Sequence, residues 1–151
     1  DQKGGSNRIY SPVSVYMAAS MLAECTDGQS YDELMTLLGV SDKEELRKIN
    51  RDMFTSLYFN EFLKYCRISN SLWVDDRFTC EEETIKKLAD NYFTASFSRV
   101  LSSEDSCREI SKWIYQNTSG KFSPEIEPNS ESIFRLINTV TFKEKWISVF
   151  E

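Results

Sequence analysis

Histidine is missing from all 151 positions of the chain. Its absence removes Ser-His and Cys-His nucleophile pairs, paired-His zinc proteases and every His-ligated zinc motif, since each needs an imidazole as base or ligand. Most enzyme readings leave with it, and no catalytic group, metal or cofactor is expected. Positive charge is also in short supply: Lys plus Arg number 18 against 24 Asp plus Glu, a formal net charge of -6. Nucleic acid and anionic membranes attract clustered positive charge, so neither is expected as a partner. The longest largely apolar stretch, residues 13–23, is interrupted by serines and falls far short of a bilayer span. The first eight residues (DQKGGSNR) lack the apolar centre of a signal peptide; either there is no signal, or it was removed with some preceding chain. The four cysteines, at 25, 66, 80 and 107, form no CxxC pair. Free thiols are the expected state, with a disulfide between two of them as the alternative.

What is present suits one folded domain. The length fits a single domain, and 40% hydrophobic residues with 10 Phe and 7 Tyr supply a packed core. Ser11-Pro12 offers an N-cap followed by proline at the first helical position, where its missing N–H costs nothing. Val15, Ala18, Ala19 and Leu22 then recur at helical spacing as a stripe of mostly small residues. Three hydroxyl-x-x-Glu boxes follow: Ser30 with Glu33, Ser41 with Glu44, and Thr79 with Glu82, each expected to open a helix. Gly39 is expected to close the first of these. A further helix is expected from Ser102 or Ser103, carrying Cys107, Ile110, Trp113 and Ile114.

Strand signals alternate with these helices. An edge strand is expected at residues 7–11 and a short strand at 95–100. Residues 65–75 alternate with period two, placing Cys66, Ile68, Asn70, Leu72 and Val74 on one face. Residues 133–143 are apolar on both faces, the pattern of a strand covered from both sides. Two asparagines, Asn70 and Asn138, therefore sit where apolar residues are expected. A buried amide without a partner costs roughly 1–3 kcal/mol. Each either satisfies a backbone group in a neighbouring loop or joins a polar network under the sheet. Lys43, Arg47 and Arg51, at i, i+4 and i+8, interleave with acidic residues and read as a solvated, salt-bridged helix face. Asn117-Thr118-Ser119 has the form of a glycosylation sequon, relevant only in a eukaryotic secretory route.

Several blocks together resemble one family, in its order and spacing, from residue 8 to the last residue. Ser11-Pro12-Val13-Ser14-Val15-Tyr16-Met17-Ala18 is similar to the serpin segment S-P-x-S-[VI]-x-x-A of helix B. Asn70-Ser71-Leu72-Trp73-Val74 is similar to the A-N-x-[LI]-[WF]-V strand. Tyr92 to Ala95 resembles the Y-x-A that ends helix E. Residues 109–121 resemble I-N-x-W-V-x-x-x-T-x-G-K-I, and residues 138–150 resemble N-A-[IV]-x-F-K-x-x-W-x-x-x-F. Glu24-Cys25 replaces the family's usual Gly-Ala, and Thr139 replaces Ala.

The resemblance implies an α+β (mixed) fold, with several helices packed on strands of a large β-sheet. It implies that residues 1–151 correspond to the N-terminal part of a single serpin domain, from after helix A to the end of the third strand of that sheet. The implied activity is protease inhibition: a serine (or cysteine) protease cuts an exposed loop, which inserts into the sheet and traps the acyl-enzyme. The partners are that protease, engaged through a loop outside this chain, and the remaining C-terminal part of the serpin. A non-inhibitory carrier, storage or chaperone role is the alternative. Ser11, Ser14 and Asn138 would belong to a "shutter" beneath the sheet, Trp146 to the "breach" where the loop enters, and Trp113 to helix F, which covers the sheet. Secretion is favoured over a cytoplasmic location.

Overall fold

The computed structural model describes residues 10–145. The elements run α1 (Pro12–Glu24), α2 (Gly28–Leu38), α3 (Lys43–Leu57), β1 (Phe59–Asn60), β2 (Tyr65–Asp75), α4 (Glu82–Tyr92), β3 (Thr94–Arg99), α5 (Glu104–Asn117) and β4 (Phe134–Lys143). This is the expected α+β alternation. Residues 7–9 of the expected first edge strand lie outside the described residues.

β2 is the sheet's central strand. β4 pairs with it antiparallel from Tyr65↔Lys143 to Val74↔Phe134. Along the other edge lie β1, antiparallel at Tyr65 and Cys66, and β3, parallel from Asn70↔Thr94 to Asp75↔Arg99. Helices cover both faces. Beneath one face Met21, Leu72, Leu88 and Tyr92 bring α1 and α4 onto the sheet. Above the other, Ile110 and Ile114 of α5 pack with Trp73 and Leu101. A third cluster, Ala23, Met35 and Leu46, ties α1, α2 and α3 together.

That two-sided cover alters two expectations. β2 is buried along both faces, Trp73 and Ser71 as fully as Leu72, so its alternation separates two cores from each other. The polar members of the second face are used internally: Trp73 Nε1 donates to Ser71 Oγ at 2.9 Å. β4, expected to be enclosed, is half-buried with exposed ends at Phe134 and Phe142. Among the described residues it is an edge strand, hydrogen-bonded to β2 alone. Helices above and below explain its apolar pattern, while its outer edge stays open.

Local chemistry sets the helix ends. Ser11 caps α1, its Oγ accepting from Ser14 N at 3.2 Å with Pro12 next in line. The buried stripe of α1 is Met17, Ser20, Met21, Ala23 and Glu24, rotated from the expected one, and Val15 is exposed. The three expected capping boxes are displaced. α2 starts after Asp27 with Ser30 already inside it, and α4 starts after Glu81 rather than Thr79. α3 is capped by Asp42, whose carboxylate accepts from Glu45 N while Glu45 Oε2 accepts from Ser41 N, a reciprocal pair one residue along. At α3 the carboxylate competes well with the Ser41 hydroxyl because it also complements the helix dipole, while neither Asp27 nor Glu81 makes a side-chain cap bond. Gly39 closes α2 at φ 69°, as expected, and α5 is capped by Ser103.

Candidate functional site

The two asparagines meet. Asn70 and Asn138 are register partners on adjacent strands, on the face that α1 and α4 cover. Side chains directly opposite on neighbouring strands lie within contact distance. Asn138 Nδ2 donates to Asn70 Oδ1 at 2.6 Å, and Asn70 Nδ2 donates to Tyr92 O at 2.6 Å. Tyr92 ends α4, and Phe93 turns the chain there at φ 52°. Asn70 thus holds the last residue of α4, at the strained turn into β3. Asn138 Nδ2 also lies 3.7 Å from Met17 Sδ on α1, so the pair is seated under that helix. Asn138 Oδ1 is buried and has no partner among the described residues.

The expected shutter residues are therefore only partly assembled. Asn138 is at the centre, beneath α1. Ser11 and Ser14 bond to each other at the N-terminus of that helix, as a cap. The residue that joins Asn138 is Asn70, which satisfies a backbone carbonyl, Tyr92 O, and also pairs with the second amide. Trp113 lies on α5, half-buried against the Trp73 cluster on the opposite face. Trp146 lies outside the described residues.

A second polar group stands behind the first. Glu24 is buried, and Arg47 reaches it with Nε to Oε2 at 3.1 Å and Nη2 to Oε1 at 2.5 Å. Tyr92 donates its hydroxyl to Glu24 Oε2 at 3.2 Å, so the carboxylate joins α1, α3 and α4. Arg47 also pairs with Glu44. Hydrogen bonding to Glu24 holds Arg47 firmly in its charged form, while burial and the Glu24 charge push the Tyr92 hydroxyl well above its ordinary range. Arg51 donates to Asn91 on α4, and Lys43 Nζ bonds Thr26 O at 3.4 Å and pairs with Asp27. Lys43, Arg47 and Arg51 thus turn onto neighbouring elements, correcting the reading of a solvated face, while Lys48 pairs with Asp52 in solvent. Glu24, the departure from the family pattern, is the reason: a buried carboxylate needs a buried cation.

Asp75, at the end of β2, is fully buried and accepts from Leu101 N at 3.0 Å and from Arg77. The Arg77 guanidinium, with the two backbone donors, holds its carboxyl below the usual carboxylate range. All four cysteines are free thiols, and burial is the main force that pushes Cys25 up to about 11. Asn117 of the sequon is half-buried and donates to Trp113 O at 2.8 Å. Among the described residues no group of three or more Cys, Asp or Glu side chains is placed to hold a metal ion.

Known proteins share this fold. The family described as "Serpin (serine protease inhibitor)" matches residues 1–151. Serpin-Z2B of Oryza sativa subsp. japonica is 30% identical over 99% of the chain and 37% of its own length. The thermophilic serpin tengpin, in its latent state, superposes with a TM-score of 0.89 at 27% identity, covering 100% of the chain and 41% of tengpin. Thyroxine-binding globulin, solved in complex with thyroxine, shares the fold at a TM-score of 0.82 and 23% identity, over 94% of the chain and 40% of that protein. The chain thus spans about two fifths of the length of the proteins it matches.

Proposed function

This chain belongs to the serpin family, and from that premise we propose that it is the N-terminal scaffold of an inhibitory serpin. In this reading the whole protein traps a serine, or cysteine, endopeptidase by loop insertion. The chain's own contribution is a sheet that can accept another strand. β4 is the observation that carries the reading: a long strand bonded along one edge only among the described residues, with a buried unpaired amide oxygen at its middle. An open edge is a template for a further strand. Asn138 Oδ1 calls for a donor, which fits a sheet completed by chain from the C-terminal part. Amides and hydroxyls exchange partners between two sheet spacings at small net cost, whereas a tight apolar contact has one best arrangement.

Within that reading Asn138, Ser11 and Ser14 form the shutter, with Asn70 added to it. Trp113 rides on the covering helix, Trp146 stands at the breach, and the protein acts outside the cell. The chain by itself inhibits no protease, because the bait loop lies in the remaining part. The test uses the intact serpin with a serine protease. Protease-inhibitor complex stable on a denaturing gel is expected. Loop cleavage without complex would leave the non-inhibitory carrier reading instead. Asn138→Ala and Ser14→Leu in the same protein are expected to speed conversion to latent or polymeric forms during mild heating, seen on native gels, with inhibition lost before secondary structure. If complex forms normally but both variants match the parent, the shutter assignment fails while the inhibitor reading survives.

A further inference from the structure

A cavity of about 430 Å³ lies between the C-terminal turn of α5 and β4. Its size is within the range of small-molecule sites. Ile114, Phe122 and Ile137 give it apolar walls, and Thr118, Thr139 and Thr141 line it with Lys121, alongside Asn138 and Val140 of β4. The hydroxyls are already engaged. Thr118 Oγ1 donates to Ile114 O at 2.8 Å, Thr141 Oγ1 to Asn117 O at 3.4 Å, and Thr139 Oγ1 to Ser69 O at 3.5 Å. Asn138 spends its amide N–H on Asn70, and Lys121 is the lining's one charged side chain, with no ion pair among the described residues.

The surroundings add charge of the same sign. Arg67 is the register partner of Thr141 and bonds Ser119 Oγ at 2.7 Å, next to Thr118. Lys143 lies two residues beyond Thr141 on the same face of β4, and both cations lie over the Tyr65 ring. Among the described residues, none of Arg67, Lys121 and Lys143 is in an ion pair, although the whole chain carries a net charge of -6 and Arg47, Arg77 and Arg99 all have carboxylate partners. Capping of α5 does not account for them. Its last carbonyls already accept from Thr118 N, Gly120 N, Lys121 N and Thr141 Oγ1.

We propose that this cavity binds a small amphipathic anion, its apolar tail against Ile114, Phe122 and Ile137 and its anionic head at Lys121, with Arg67 and Lys143 beside it. A lysine stem lying along an apolar wall with its ammonium at the mouth suits such a ligand. Bound there, the ligand bridges α5 and β4 and raises the thermal midpoint.

Decanoate, titrated into the intact protein by calorimetry below its micellar range, is the probe. One saturable site per chain is expected, with decanol binding at least about tenfold more weakly and Lys121→Ala weakening decanoate about tenfold, roughly the loss of one charge-assisted contact. Lys86→Ala, on α4, is expected to leave binding unchanged. Lys121 is exposed, so its variant is not expected to disturb folding. Absent or non-saturating binding, equal binding of decanol, or unchanged affinity in Lys121→Ala would each overturn the proposal.

Discussion

The two faces of one sheet are built on opposite plans. Above β2, Trp73 stacks on Phe97 with ring centroids 4.2 Å apart, and Ile110 and Ile114 of α5 close over them. Beneath it, at the middle of the strand pair, Asn138 and Asn70 make an amide chain that ends on a backbone carbonyl and leaves one oxygen without a partner among the described residues. A dry aromatic contact is strong, and it has few equivalent arrangements. An amide chain contributes less net stability and leaves room for a change of partner. The difference separates the part of the sheet held by close packing from the part held by polar contacts.

The comparison breaks most visibly with the largest side chain. Trp73→Ala is expected to destabilise the protein by about 3–5 kcal/mol, read as a fall in urea midpoint. A loss no greater than that from the amides would mean the upper face is not the anchor. Behind the lower face, Arg47→Met strands the Glu24 carboxylate and is expected to cost a similar 3–5 kcal/mol, while Arg47→Met with Glu24→Leu is expected to recover most of it. No recovery in the double variant would show that the pair holds α1, α3 and α4 by more than mutual compensation.

Asn70→Ala is expected to cost roughly 1–3 kcal/mol, since it removes the short partner of both Asn138 Nδ2 and Tyr92 O and leaves them only longer contacts, to Met17 Sδ and Thr94 Oγ1. If its unfolding midpoint matched the parent's, the amide chain would have no structural weight. Ser11→Ala removes only a cap, and about 1 kcal/mol is expected. A much larger loss would give Ser11 a role beyond the helix end.

Acid sharpens the contrast in direction. Asp75, at the end of β2 near α5, has a folded pKa below its unfolded value of about 3.9. Its stabilising contribution is present above that unfolded value and is lost as pH falls through the lower folded one. Asp75→Asn is expected to be less stable at neutral pH and to lose less stability than the parent on acidification below about pH 4. Parallel pH curves would remove Asp75 from that account.

Much of this was legible in the residues. The bounds of β2, the cap at Ser11, the glycine stop at Gly39 and the start of α5 follow from local rules: alternation, side-chain oxygen before a first turn, and left-handed backbone after a last one. The capping box at Ser41 shifts by one residue because the Asp42 carboxylate takes the donor, whereas α2 and α4 begin without any side-chain cap. In the candidate site, Asn138 and Asn70 stood out as polar residues in apolar strands. That they bond to each other depends on the register of two strands 68 residues apart, which no local pattern carries.

Glu24 and Arg47 show the same division. Their charge and helical placement were plain, yet the spacing of Lys43, Arg47 and Arg51 suggested solvent, and only the packing of α3 against α1 and α4 turned Arg47 inward. The sequence by itself determined the elements, their family order and the residues able to form polar contacts, because periodicity and capping act over a few positions. Which amide meets which, which charge is buried and which strand edge stays open were decided by the tertiary structure, because each depends on surfaces brought together from distant parts of the chain.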